Sequence, residues 1–478
     1  MGIADDDKPS TRRVDAFSRR IPLIVATAFF METLDSTIVT TALPAMAASF
    51  GENALRLTTS ITVYLVAMTI FVPTAGWASN RFGARNLFAG AIACFTLASL
   101  LCGIAPSFWS LIAARALQGA SAAFMSPVGR LIVLRETPKQ RIINAIGLIV
   151  WPGLVAPVIG PALGGWITTY ASWRWIFLVN IPVGLLGTYL VWRFVPKHAE
   201  AGRTPFDARG FALTAFSLAL LIYGLSAIAR GASDPAAGVE FVLVGIVVGF
   251  AAVRHALRHS APMLDLRAAT IPTFALSIIT AGLIARIAIS MTPFLLPLMF
   301  QIAFQLNAFE AGIMVLVYMA GNLAMKSVTT PILHRYSFRA VILVNGVLCA
   351  LSLAACGFLT PGIHPPVIYA ILFFAGMTRS MNFTSMSTLA FADLTAETRA
   401  GATTLSAMLQ QAAGAVGVAA AAGALGIFQT LRADPHLALA DFQDTFFSSA
   451  ALMAIAVAWA SRLPTDAGAE LSQRSRGR

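Results

Sequence analysis

Glu32 and Asp35 stand three residues apart in METLDSTIVTTALP (residues 31–44), inside an apolar run that begins at Ile21 and meets no other charge before Glu52. A carboxylate there is costly, about 2.5 to 3.5 kcal/mol for Asp at mid-bilayer on insertion scales. Two chemistries justify it. One is a permanent ion pair with a base at the same depth. The other is a carboxyl that takes a proton in one setting and gives it up in another, because burial favours the protonated form and a neighbouring Arg the ionised one. Candidate bases exist: Arg115, Arg286, Lys326 and Arg379 each interrupt a long apolar window. Positions i and i+3 share a helical face, so both acids can look into one cavity. Its other expected walls are Tyr64, Gln118, Asn180, Gln301, Tyr318, Asn322, Asn382 and Gln410. Each of these could equally serve as a helix-packing hydrogen bond.

The elements that must hold these groups are set by composition. Of 478 residues, 58% are hydrophobic and 11% charged, against roughly 45–50% and about 25% in soluble domains. Windows of about 20 residues almost free of charge recur along the chain, each able to cross a ~30 Å hydrocarbon core as a helix. The expected fold class is therefore all-α, a polytopic membrane protein. Fourteen helices are expected near 21–47, 57–78, 86–105, 108–134, 141–169, 173–195, 210–229, 239–257, 270–299, 309–333, 338–359, 365–392, 399–429 and 441–462, to within about 2–4 residues. The first follows Arg12, Arg13, Arg19 and Arg20 and lacks a small-residue cleavage pattern, so it reads as a retained helix. Cys94, Cys102, Cys349 and Cys356 lie in apolar windows with no CxxC and read as small hydrophobes. The net charge of +12 is spread over short loops, which fits a membrane surface rather than nucleic acid.

With fourteen crossings both termini share one side. If that side is cytoplasmic, only Arg56, Arg174, Arg230 and Arg432 of the 33 Lys and Arg face outward, four more are the intramembrane bases, and the rest lie inside. That bias sets the expected orientation. A rise of 1.5 Å per residue puts Asp35 about 21 Å from the inner end of its helix, Glu32 about 16 Å, and Arg115 about 20 Å from the inner face. Arg286 falls near the same level, Arg379 near mid-membrane, and Lys326 nearer the inner surface.

An internal repeat organises the chain. VYLVAMTIFVPTAGWASNRFGAR (63–85) aligns without gaps on VYMAGNLAMKSVTTPILHRYSFR (317–339), pairing Tyr64 with Tyr318, Arg81 with Arg335 and Arg85 with Arg339. Parallel repeats of this kind build transporters with the site between halves near mid-membrane. The expected division is a tail at 1–20, a six-helix half at 21–195, a linker with two extra helices at 196–269, a second half at 270–462 and a tail at 463–478.

GWASNRFGAR (76–85) resembles the G-x-x-x-D-R-x-G-R signature of the major facilitator superfamily. ARALQGASAAF places Arg115 like that superfamily's helix-4 arginine, and PVIGPALGGWI (157–167) looks like its antiporter signature. LDSTIVTTALP and SWRWIFLVNIPVG resemble the fourteen-helix drug:proton antiporter family. The resemblance implies proton coupling through Asp35, Glu32 and Arg115. It implies a gating loop of Gly76, Asn80, Arg81, Gly83 and Arg85, and an antiporter motif of Pro157, Gly160, Pro161, Gly164 and Gly165. One departure is Asn80, where the family has an acid; His334 occupies the repeat position and is also no acid. The gate then depends on Arg81 and Arg85.

The function expected is proton-coupled export of amphipathic, drug-like organic molecules by alternating access. A narrow-specificity exporter of a metabolite, lipid or siderophore is the alternative on the same fold. A membrane-embedded enzyme is disfavoured by the lack of H-E-x-x-H and G-x-S-x-G motifs, and a primary pump by the lack of a G-x-x-x-x-G-K-[ST] loop. No cofactor, metal or nucleic-acid partner is expected. Cargo, protons and lipid are the expected partners of a monomer in the bacterial plasma or inner membrane, with a periplasmic adaptor left open.

Overall fold

The computed structural model describes residues 20–197, 205–229, 235–259, 262–434, 436–464 and 467–468. Most of both tails, and Arg230, lie outside them. Among the described residues there are fourteen long helices and no strand: α1 (Arg20–Thr41), α2 (Ala54–Phe82), α3 (Ala84–Gly103), α4 (Phe108–Glu136), α5 (Ile142–Tyr170), α6 (Trp175–Phe194), α7 (Ala208–Ala229), α8 (Pro235–Arg258), α9 (Pro272–Ile302), α10 (Ala308–Arg335), α11 (Phe338–Gly357), α12 (Pro365–Ala390), α13 (Ala396–Arg432) and α14 (Leu439–Ala460). Thirteen are apolar enough to span a membrane on length and composition alone. The exception is α12, whose second half carries Arg379, Asn382 and a run of Ser and Thr. It crosses because its neighbours cover that polar stretch.

Three boundaries differ from expectation, each for a local reason. The first crossing breaks at Val39–Thr41 and resumes as a short helix, Leu43–Phe50, with Pro44 in its first turn. The second runs on through Gly76 and Asn80 to Phe82, because AGWASNRF holds no breaker; the turn is made only at Gly83, with φ +79°. Gly76 is thus an exposed helical residue rather than part of the turn. The ninth is discontinuous. A π-helical turn at Ala275–Ile279 ends at Thr280, and Ala281–Ile302 continues beyond it.

α1 packs on α5 and α6, α2 on α4, and α3 on α4 and α6. The same pattern recurs as α9 on α13 and α14, α10 on α12, and α11 on α12 and α14. Two seams join the sets, α5 with α10 and α2 with α13, and they are exchanged by the same correspondence. α7 and α8 form a hairpin against α13, with lighter contact to α2. α8 turns Leu243, Ile246, Val247 and Phe250 outward, a surface suited to lipid rather than water. Asp207 clips the base of this hairpin, accepting from the Gly210 and Met263 amides (2.9 and 3.2 Å) and from His255 Nε2 at 2.8 Å. Partial burial raises its pKa, but those hydrogen bonds outweigh it and hold the carboxyl below the usual range.

Even-numbered crossing puts the start of α1 and the end of α14 at one end of the bundle, which also bears Arg81, Arg85, Arg335 and Arg339. We call it the basic end. At the opposite, far end, one apolar core unites both sets of helices, including Leu34, Ile38, Phe177, Phe294, Phe300, Val315 and Phe446. The other buried cores each stay within one set. The molecule is therefore sealed at the far end.

Candidate functional site

Asp35 lies on α1 at full burial and is held by two helices, α4 and α6. Arg115 of α4 donates from Nη1 to Oδ2 at 2.6 Å, while Oδ1 accepts from Gln118 Nε2 at 2.8 Å and from Asn180 Nδ2 of α6 at 3.1 Å. Gln118 also bonds Ser99 of α3 (2.8 Å) and accepts from Arg115 (2.6 Å). Arg115 is itself fully buried; its Nε donates to the Ser60 carbonyl, and its guanidinium lies 4.3 Å from the Tyr64 ring centroid. Every charge in this cluster is paired and hydrogen-bonded, which is the condition for keeping an ion pair out of water.

Glu32, about one turn away, is in a different setting. Ser126 of α4 donates to it at 2.8 Å, no ion pair reaches it among the described residues, and 7% of its surface is exposed. The two acids thus differ sharply in the number of donors that hold the ionised form.

Glycines make the close approaches. A methyl group on Gly119 would overlap the Tyr64 carbonyl, and one on Gly376 the Tyr318 carbonyl, so α2–α4 and α10–α12 touch backbone to backbone at corresponding places. Each of the two paired tyrosines lies under an arginine, although from different positions on α4 and α12: Arg115 covers Tyr64, and Arg379 lies 5.6 Å from the Tyr318 ring.

The residues of 157–167 lie at two interfaces. Gly160 faces Thr37 and Gly164 faces the Ile38 carbonyl, bringing α5 onto α1. Gly165 meets the Ala308 carbonyl, and Gly312 of α10 meets the Pro161 carbonyl. Phe309 donates its amide to Thr169 Oγ1 at 3.2 Å, and Gln301 Nε2 to the Thr41 carbonyl at 3.1 Å. All these contacts belong to the far-end seal.

On the basic side of that seam α5 and α10 part around a cavity of about 280 Å³. It is lined by Leu154, Pro157 and Val158 of α5, by Met319, Asn322, Leu323 and Lys326 of α10, by Arg379, Ser380 and Phe383 of α12, and by Gln410 of α13. Of the expected cavity residues, the structure brings Arg379, Asn322 and Gln410 there. Tyr64 and Gln118 belong to the Asp35 cluster, and Gln301 to the seal. Tyr318 is buried beneath Arg379, and Asn382 is buried with its Nδ2 unbonded. Arg286 is buried behind Phe383, donating to the Ser277 carbonyl (3.1 Å) and Ser387 (3.3 Å). The π-helical turn is what leaves the Ser277 carbonyl free of a helical partner and open to Arg286.

At the basic end Arg85 donates to the Trp192 carbonyl near the end of α6 and stacks on its ring at 5.3 Å. Its repeat partner Arg339 donates to the Ser461 carbonyl at the end of α14 (3.1 Å). Each repeat arginine therefore satisfies an orphan carbonyl of the last helix in its own set. Arg81 is exposed and Asn80 half-buried. Sequence reading missed Ser99, Ser126 and Ser60, whose hydroxyls or carbonyls complete the acid sites. Hydroxyls are too common in these helices to stand out. Gly119, four residues after Arg115, was a usable signal of close packing.

The family description "Major Facilitator Superfamily" matches residues 25–418. A "Putative multidrug resistance protein MdtD" of Pectobacterium carotovorum is 35% identical over 449 residues, 93% of this chain and 95% of that protein. Its namesake in Escherichia coli O6:H1 is 36% identical over 448 residues, covering 93% and 94%. Among solved structures, a D-xylose-proton symporter superposes with a TM-score of 0.66 over 95% of this chain and 99% of its own, at 12% identity. Family match, long relatives and architecture agree: this chain is a multi-pass membrane transporter of small molecules belonging to the Major Facilitator Superfamily.

Proposed function

We propose that this transporter exports amphipathic organic molecules in exchange for protons, with the cytoplasm at the basic end. The observation that carries the reading is the Asp35–Arg115–Gln118–Asn180 cluster, a complete ion-pair site built into the half whose seam with α10 closes the far end. In this conformation the cavity lies on the cytoplasmic side and Asp35 is paired with Arg115 and accepts from three donors. Opening the far end moves α1 and α5 relative to α10. A displaced Arg115 would then leave Asp35 to take a proton from outside, and re-pairing would expel it inside. Such a cycle binds a proton in one state and releases it in the other, as exchange requires. Glu32, held by one hydroxyl, is assigned to cargo charge recognition or a second proton. One chain contains both seams, so a monomer suffices. The deciding experiment is uphill flux of a compound panel in proteoliposomes with and without an imposed pH gradient; gradient-independent flux of every compound would remove the coupling.

Orientation is tested with single cysteines in a background lacking the native four. Positions Glu52 and His436 should react with an impermeant thiol reagent added outside intact cells. Labelling of Lys197 instead would invert the assignment.

We assign the turn at Gly83 to gating. A side chain added there meets open space, so Gly83→Leu costs only the strain of a positive-φ backbone, about 1–3 kcal/mol. Transport should slow several-fold at nearly unchanged folded yield, and Arg81→Ala should do likewise. Asn80→Asp, which restores the family's acid, should be tolerated. Parental rates in all three variants would reduce this segment to a connector.

A further inference from the structure

The cavity wall is charged on one side only. Lys326 and Arg379 both line it, and among the described residues no carboxylate does. Their protein partners are poor. Arg379 Nη1 points at the Met319 thioether sulfur (3.4 Å), and Lys326 Nζ reaches a single hydroxyl, Thr384 Oγ1, at 3.4 Å. Ser380 lines the same wall, is buried, and its Oγ has no hydrogen-bond partner. Arg286 adds a third positive charge behind Phe383.

No neutralising acid is at hand in the sequence around them. Between Glu310 and Asp393 the chain has no Asp or Glu, and Glu310 is spent capping the far-end start of α10. The membrane-depth acids of the other half are engaged as well, Asp35 by Arg115 and Glu32 by Ser126. A cation in a low-dielectric site costs several kcal/mol unless a counter-charge arrives. Arg115, by contrast, has every such need met by its own helices. The difference between these two arginines, each lying over one of the repeat-related tyrosines, is what needs explaining.

We propose that the cavity binds the anionic group of its cargo, a carboxylate or sulfonate on an aromatic or aliphatic body, between Arg379 and Lys326 with Ser380 donating. The apolar body rests on Leu154, Val158 and Phe383. This names the cargo class of the site and rests on the transport reading for its role, but binding itself does not depend on proton coupling. A volume of about 280 Å³ is at the small end of ligand pockets, so a bicyclic aromatic acid is a fitting probe.

The test is calorimetric binding of 2-naphthoate, 2-naphthamide and 2-naphthylmethylamine to the full chain in phosphatidylcholine nanodiscs. The carboxylate should bind, the amide at least about 10-fold more weakly, and the amine not measurably. A charge-assisted hydrogen bond of about 1.5–3 kcal/mol sets the loss in Arg379→Gln at about 10- to 150-fold for the acid, with the acid–amide difference abolished. Lys326→Gln should lose less. Each variant's melting temperature is read alongside binding, and equal loss of acid and amide in a variant that melts like the parent would overturn the proposal. Equal binding of acid and amide, preference for the amine, or no binding of the acid at millimolar concentration would overturn the proposal. Loss of acid binding when phosphatidylglycerol is added would also overturn it, by assigning the site to a lipid headgroup. Discrimination that survives without any pH-driven flux would instead sink only the coupling reading.

Discussion

Asp35→Asn abolishes uphill, pH-driven transport. The substitution keeps the shape of the side chain and removes its ability to titrate, but it also turns an amide toward Arg115. Whichever way that amide turns, its NH2 faces a donor, Arg115 on one side or Gln118 and Asn180 on the other, and a guanidinium with no exposed surface loses its counter-charge. Breaking a buried pair from one side costs about 3–5 kcal/mol, so reduced folded yield is expected alongside lost coupling. The two causes separate in Asp35→Asn combined with Arg115→Gln. That pair is neutral, can hydrogen-bond internally, and should regain thermal stability. If Asp35 carries the proton, the double variant stays uncoupled although it folds. If the pair is only a lock between α1 and α4, the double variant transports uphill again. Gradient-driven flux and cargo-induced proton release, measured together with melting temperature, distinguish the outcomes.

Much of this arrangement could be read before any coordinates. Helix number followed from charge-free windows, because a bilayer forces each to satisfy its own backbone bonds. Depth arithmetic put Asp35 and Arg115 at one level, and they meet at 2.6 Å. The alignment of residue 64 on 318 correctly paired two tyrosines that each lie under a helix-borne arginine. What stayed hidden was rotation. In a soluble helix the polar face shows which way a residue points, whereas α4, α10 and α12 scatter their few polar residues around the helix and show no one polar face. Nothing in the sequence distinguishes Gln118, turned into the Asp35 cluster, from Asn322, turned into the cavity. The same ambiguity sent Gln301 to an expected wall when it ties α9 to the Thr41 carbonyl. One helix end lies beyond its expected place: the second helix, expected to stop at 78, runs to Phe82, where the positive-φ Gly83 turns the chain.

Gly165→Val should be nearly as damaging as loss of Asp35, for a mechanical reason. Gly165 sits where α5 crosses α10, and an added Cβ would overlap the carbonyl oxygen of Ala308 and fall 2.7 Å from its carbon. The obstacle is backbone, so no side-chain rotamer relieves it. The helices must separate, and with them go the Phe309–Thr169 bond, the Gly312–Pro161 contact and part of the apolar core that bridges the two sets. Overpacking of this kind costs about 1–3 kcal/mol, and the cost falls on the far-end-closed state alone. Each 1.4 kcal/mol shifts a two-state population about tenfold, so the transporter should dwell open at the far end. Turnover should fall by about 10-fold or more. A cysteine at Ala311, fully buried at this seam in the parent, should become reactive from the far side. Gly153→Val is the matched comparison. It lies on the same helix, a Cβ there meets nothing within 4 Å, and both flux and labelling should stay at parental levels. If Gly165→Val transports at the parental rate with a cysteine at Ala311 still protected, α5 and α10 do not need this contact to close the far end, and the seal must be carried by the apolar core around Phe300 and Phe446.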